Sequence, residues 1–536
     1  MQGASSAALG AGARQALASR AMAADQPPWW RSGVVLQVYP RSFADSNGDG
    51  VGDLAGVTSR MDHLVDLGVD AVWLSPFFRS PMADFGYDVS DYRDVDPTFG
   101  TLADADALVE AAHERGIRVI FDWVPNHTSD RHEWFAASRS SRDDPKRSWY
   151  VWRDPGHDGA PPNNWISNFK LYGEVPAWTF DEATGQSYLH SFLPEQPDLN
   201  WVDPEVPEAM HDVLRFWLDR GVDGFRVDVA HALGKDPELA DNEPGGRPHH
   251  EDWPSVHPRL RAIRRVLEEY EGDRMAVGEV YLLDQRALAP YVSSGDELHM
   301  VHNFVFLNLP WSAAGFRATV DEFEELAGSE AWPAWCLGNH DHSRIATRYG
   351  PGPARVAAML LLTLRGTPFL FQGDELGLPD VEVPADRVVD VDGRDPERAP
   401  IPWEPPSTAG PGAGFTTGEP WLPMTPDAER VAASVQAGDP ESMFSLHRDL
   451  LALRRRTPAL SQGSYRALDA GEHVYAYRRG EEVTVALNFA PEARPAGVDG
   501  RGRVLLSTHP ARQRGTEIDL ADLVLEADEG VIVART

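Results

Sequence analysis

The chain has 536 residues, 42% of them hydrophobic and 10% aromatic, enough for a large packed core and for two or three domains, one as large as a barrel. Its 83 acidic against 49 basic residues give a formal charge of −34, which repels phosphate backbones and anionic membrane surfaces and so excludes nucleic acid and membrane as expected partners. The single cysteine, Cys336, excludes an internal disulfide, and the longest apolar run, Val356 to Leu364, falls short of the roughly 20 residues that a bilayer span requires.

Residues 1–26 are Ala-rich and lack the continuous apolar centre of a secretory signal; a flexible tail is expected there, with Met22 as an alternative start and the cytoplasm as the expected location. The first β-rich run, "GVVLQVYP", leads into "DSNGDGVGDL". Oxygen-bearing side chains alternate along it at Asp45, Asn47, Asp49 and Asp53, Val51 offers a backbone carbonyl, and Gly50 permits a tight turn, which is how a hard cation gathers ligands from a short peptide. An EF-hand would carry a bidentate Glu at the twelfth position, where Gly56 stands, and would follow a helix rather than a strand. Two readings stay open: a calcium loop of another kind, or a solvated Asp/Asn/Gly turn.

Seven more strand-like runs follow: "DAVWLS", "IRVIFDWVP", "GFRVDV", "MAVGEV", "MVHNF", "WPAWCL" and "GTPFLFQG". Helical patterns separate them, for example Val206, Met210, Val213 and Trp217, spaced for one helix face. Eight strands alternating with helices predict an α/β fold, a (β/α)₈ barrel over residues 27–126 and 203–462. About 75 residues between "DWVP" and the helix near Glu205 are too many for a bare loop, so 127–202 is expected to be an inserted domain. After residue 462, alternating runs such as "HVYAYRR" and "EEVTVALNF" predict a C-terminal antiparallel β domain over 463–536.

In such a barrel the catalytic groups stand at the C-terminal ends of strands. Those ends are polar here: Asp122, Asn126 and His127 on the third, Arg226 and Asp228 on the fourth, Glu279 on the fifth, and Asn339, His340 and Asp341 after the seventh. Arg226 and Asp228, two apart on a strand, share a face, so the guanidinium is expected to keep Asp228 ionised as a nucleophile. Glu279 follows the apolar "MAVG" and is expected to be raised toward a usable general acid. Two carboxylates with different environments in one pocket are what glycoside hydrolysis needs.

"DWVPNH", "GFRVDVAH", "GEVY" and "GNHDHSR", in that order, resemble the four conserved segments of the α-amylase family, glycoside hydrolase family thirteen, and the resemblance extends over residues 33 to about 455. It implies a retaining double displacement with Asp228 as nucleophile, Glu279 as acid/base and Asp341 as stabiliser of the distorted sugar, and hydrogen bonds to a terminal glucose from His127, Arg226 and His340. "QPDLN" resembles the branch of α-glucosidases and oligo-1,6-glucosidases. In "DFGYD", Asp84 and Tyr87 match residues that bind and stack on the non-reducing glucose, and in "RDPERAPIPW", Arg398 matches the partner of Asp84 at its 4-hydroxyl. That branch also carries a calcium loop after the first strand, which implies a structural Ca²⁺ held by Asp45, Asn47, Asp49, Val51 and Asp53, and no organic cofactor.

The implied activity is an exo-acting α-glucosidase releasing α-D-glucose from short, maltose-like α-1,4 glucosides. Val229 points instead toward oligo-1,6-glucosidases, while "DVAHALGKDP" and the extended "DNEPGGRPHHEDWP" loop resemble α-1,4 enzymes. A glucosyl-transferring relative and a non-catalytic transporter-associated subunit share the barrel; the latter needs a membrane anchor and usually shows eroded catalytic acids. The sequence leaves linkage, chain-length preference and oligomeric state open.

Overall fold

All eight expected runs form strands in the computed structural model, which describes residues 27–169, 173–328 and 330–536; the N-terminal tail lies outside the described residues. They are β1 (Val35–Val38), β2 (Ala71–Leu74), β3 (Arg118–Trp123), β4 (Gly224–Val227), β5 (Met275–Gly278), β6 (Met300–Val301), β7 (Ala334–Cys336) and β8 (Thr367–Phe371). They pair in parallel in the order β6-β5-β4-β3-β2-β1-β8-β7. The ring closes through one parallel bridge between His302 and Ala334, where the Asn303 N–H donates to the Ala334 carbonyl at 3.3 Å. Nearly every strand residue is buried, because helices cover the outside and side chains fill the inside, and this is why the runs read as continuously apolar.

The helix Glu205–Leu218 shows how the outer layer is encoded. Val206, Met210, Val213 and Trp217 are all buried against the barrel, and each such side chain contributes about 1.5–3 kcal/mol. The strand-helix alternation lapses once: β5 and β6 are joined by two four-residue turns, Gln285–Leu288 and Pro290–Ser293. The Asp284 carboxylate caps the first and Pro290 opens the second, so the segment is punctuated too often for one long helix.

Between β3 and β4 the chain builds a three-stranded antiparallel sheet, Trp152–Arg153, Gln186–Leu189 and Trp178–Asp181, over a small cluster of Val151, Trp165, Ala177, Trp178 and Leu189. At the other end of the chain, Val474–Arg479 and Val483–Asn488 pair as the centre of a six-stranded antiparallel sheet. Among the described residues no helix is long and apolar enough to cross a membrane.

Candidate active site

Strand register assembles the first charges. Asp122 on β3 pairs directly with Arg226 on β4, and Gly278 on β5 pairs with Val227, so Glu279 stands level with Asp228. Arg226, only 2% exposed, therefore meets three carboxylates. Its Nη1 donates to Asp122 at 2.9 Å and to Asp228 at 2.5 Å, and its Nη2 to Glu279 at 2.6 Å. Trp73 Nε1 and the Tyr87 hydroxyl donate to the second oxygen of Asp122, at 3.1 and 3.2 Å. The Val229 N–H donates to Glu279 at 3.0 Å, and Val229 has φ 34°, a left-handed conformation that is costly for a β-branched residue. That strained turn ties the residue after Asp228 to the Glu279 carboxylate.

Burial pushes the Asp228 carboxyl well above its ordinary value; Arg226 opposes this, and the negative charges of Glu279 and Asp122 add to it. This corrects the expectation that Arg226 keeps Asp228 ionised: one guanidinium does not offset burial plus two neighbouring acids. Asp341 behaves oppositely. Burial would raise it, but His340, Arg394 and Arg398 hold it well below the carboxylate range. Burial keeps His340 neutral, so the two arginines carry the effect.

The remaining expected residues surround this cluster. Tyr87 stacks on His340 with ring centroids 5.3 Å apart, and its hydroxyl lies 2.6 Å from the His340 Nε2. His127, pushed down to about 4 by burial, sits 3.1 Å from the side-chain amide of Gln196, which also donates to Asp84 at 3.0 Å. Arg398 does not grip Asp84 as expected. Arg394 does, at 2.7 Å, and it also bonds Asp390 and Asp341. Arg398 lies behind, donating to the His340 carbonyl, Asp341 and Asp390 at 2.7, 2.9 and 3.2 Å. Both arginines belong to the "RDPER" segment, four residues apart in a run of turns, so the motif pointed to the place but not to the residue.

Two connected cavities open on these groups. The inner one, about 60 Å³, is lined by Asp84, Tyr87, His127, Asp228, Glu279, Asp341 and Arg394, the last of which also lines the outer one. The outer one, about 410 Å³, shares Glu279, Asp341, Val229, Phe169 and Phe192 with it and widens toward His231, Glu251 and Asp392. Gln196 was legible only as part of "QPDLN", while Phe169 and Phe192 come from the inserted segment and carry no sequence signal of their own.

The Asp45–Asp53 loop lies apart from both cavities. Asp45 accepts hydrogen bonds from the N–H groups of Asn47, Gly48 and Gly50 and from Thr416. Asp53 accepts from Ser46 and caps the helix Leu54–Ser59 through Gly56. Gly50, at φ 94°, packs so closely that a Cβ would lie 1.9 Å from the Glu419 carbonyl. Among the described residues no group of three or more His, Cys, Asp or Glu side chains is arranged to hold a metal ion, so this geometry adds no support of its own to the calcium expectation.

The family model described as alpha amylase, catalytic domain, matches residues 37–463. The chain is 42% identical to a probable alpha-glucosidase of Rhizobium meliloti, covering 87% of this chain and 90% of that protein. It is 38% identical to an oligo-1,6-glucosidase of Parageobacillus thermoglucosidasius, covering 86% and 90%. Among solved structures, the alpha-glucosyl transfer enzyme XgtA superposes with a TM-score of 0.86 at 41% identity, covering 95% of this chain and all of that one.

Proposed function

Because the chain belongs to the α-amylase family and is a glycoside hydrolase of its α-glucosidase branch, we propose that it is a retaining, exo-acting α-glucosidase that releases α-D-glucose from the non-reducing end of short α-1,4 glucosides. The observation that carries this reading is the Asp84–Arg394 pair, joined at 2.7 Å on the wall of the inner cavity beside the carboxylate cluster. A sugar chain continuing past that pair would displace both hydrogen-bonding groups, leaving buried charges unpaired.

In this proposal the Asp228 carboxylate attacks the anomeric carbon while Glu279 gives its proton to the glycosidic oxygen, breaking the carbon–oxygen bond and forming a glycosyl ester. Glu279 then takes a proton from water, the water oxygen attacks the same carbon, and the ester bond to Asp228 breaks. Asp228 and Glu279 accept from the two ends of one guanidinium, at 2.5 and 2.6 Å, which supports the close carboxyl pair, roughly 5–5.5 Å apart, that a retaining mechanism needs. Asp341, kept anionic, would stabilise the cationic sugar of the transition state, with Tyr87 stacked beneath it.

A second reading, preference for α-1,6 links, is favoured by Val229, which lines both cavities where the leaving sugar must pass. A time course on maltose, isomaltose and starch tests both readings. Glucose mainly from maltose is expected; faster release from isomaltose would select the second reading, products larger than the substrate would make glucosyl transfer the main activity, and rapid internal cleavage of starch would overturn exo action. The calcium ion expected at Asp45, Asn47, Asp49, Val51 and Asp53 belongs to the proposal on the strength of the sequence pattern. A thermal midpoint that rises with CaCl₂ and falls with EGTA supports it, and an unchanged midpoint removes it.

A further inference from the structure

The outer cavity carries more negative charge than the chemistry requires. Four carboxylates line it, Glu251, Glu279, Asp341 and Asp392, against one arginine, Arg394. That arginine is already bound to Asp84, Asp390 and Asp341. The two histidines on the wall add little positive charge to a ligand's view. His342 is pushed down by burial, and His231 stands 3.4 Å from the Glu251 carboxylate, which answers any proton it holds.

Asp392 differs from the other three. Its backbone N–H donates to Asp390 at 2.9 Å, but among the described residues its carboxylate has no hydrogen-bond or ion-pair partner. Glu251 lies 3.4 Å from His231, which answers part of its charge, and its side chain stays 19% exposed. A concave wall of one sign focuses field lines and sorts entering molecules by charge, and a formal charge of −34 on the whole chain adds to that field.

We propose that the outer cavity is a charge filter for the leaving group, admitting neutral and cationic aglycones and turning away anionic ones such as phosphorylated or carboxylated sugars, with Asp392 as its specificity-determining residue and Glu251 reinforcing it. This rests on the proposed function, in which the inner cavity holds the transferred glucose and the outer one the group that departs. The repulsion acts as the aglycone enters, so it appears mainly in KM and weakens with salt.

Three aryl α-glucosides test this: one neutral, one with a carboxymethyl arm and one with an aminoethyl arm, the charge being insulated from the phenolic oxygen. At low salt the cationic glucoside is expected to exceed the anionic one in kcat/KM by about tenfold, with the neutral one between. Asp392→Asn should narrow that ratio, Asp392→Lys should invert it, Glu251→Gln should narrow it less, and high salt should flatten it. Equal kcat/KM for the two charged substrates, or a ratio that Asp392→Lys and Asp392→Asn both leave unchanged while the neutral glucoside is hydrolysed, would overturn the filter alone. No hydrolysis of the neutral glucoside or of maltose would overturn the proposed function and the filter with it.

Discussion

The Asp45–Asp53 loop and the carboxylates at the strand ends are equally rich in acids, but they satisfy their charges over different spans of chain. The Asp45 carboxylate is held by amides two to five residues away and by the distant Thr416 hydroxyl. Asp84 is held by an arginine 310 positions on, and Asp122, Asp228 and Glu279 share one guanidinium brought to them by three adjacent strands. Local turns satisfy most of the first region, and residues 415–421 pack against it. The second exists only when the barrel is closed, and its buried charges shift one another's proton affinities.

The largest effect is expected at Asp228, the proposed nucleophile. Asp228→Asn is expected to lower kcat by at least about 10⁴-fold while leaving the thermal midpoint no lower, since it removes one of three acids crowded on Arg226; loss of structure instead would mean the cluster is a scaffold. Arg394→Ala comes next, raising KM for maltose and lowering kcat/KM by about 10²-fold because Asp84 loses its partner. Arg398→Ala should act first on stability, by about 3–5 kcal/mol, through the buried Asp390 and Asp341 it leaves exposed to each other. If instead Arg398→Ala were the KM variant, the assignment of the two arginines would be reversed.

Asp122→Asn sharpens the comparison by changing only charge. Asp228 must be ionised to attack, so its raised pKa sets the acidic limb of kcat/KM above the ordinary ~3.9 of an aspartate. The Asp122 charge contributes to that rise, and its removal should move the limb to lower pH. The smallest effect belongs to the loop: Asp53→Ala removes a helix cap, costs about 1 kcal/mol of stability and leaves KM unchanged.

Much of this was legible in the sequence because strands buried on both faces write themselves as apolar runs, and the polar residues at their ends are conspicuous by contrast. Asp122, Arg226, Asp228 and Glu279 stood out in that way, and the two-residue period joined Arg226 to Asp228. Which arginine faces Asp84 was not legible, because Arg394 and Arg398 sit on one short motif and only the packing of the 390–398 segment against the strand-two loop separates them. The direction of the Asp228 shift was missed for a similar reason: a spacing shows one partner, whereas burial and two further acids arrive from neighbouring strands.

The decisive measurement is proton NMR during the first moments of hydrolysis of a neutral aryl α-glucoside, whose one sugar product is the transferred glucose. A double displacement through Asp228, with Glu279 bridged to it by one guanidinium, predicts that the α anomer of the newly released glucose appears first and equilibrates to β only afterwards. First appearance of the β anomer would require a water between the two carboxyls and would contradict the account.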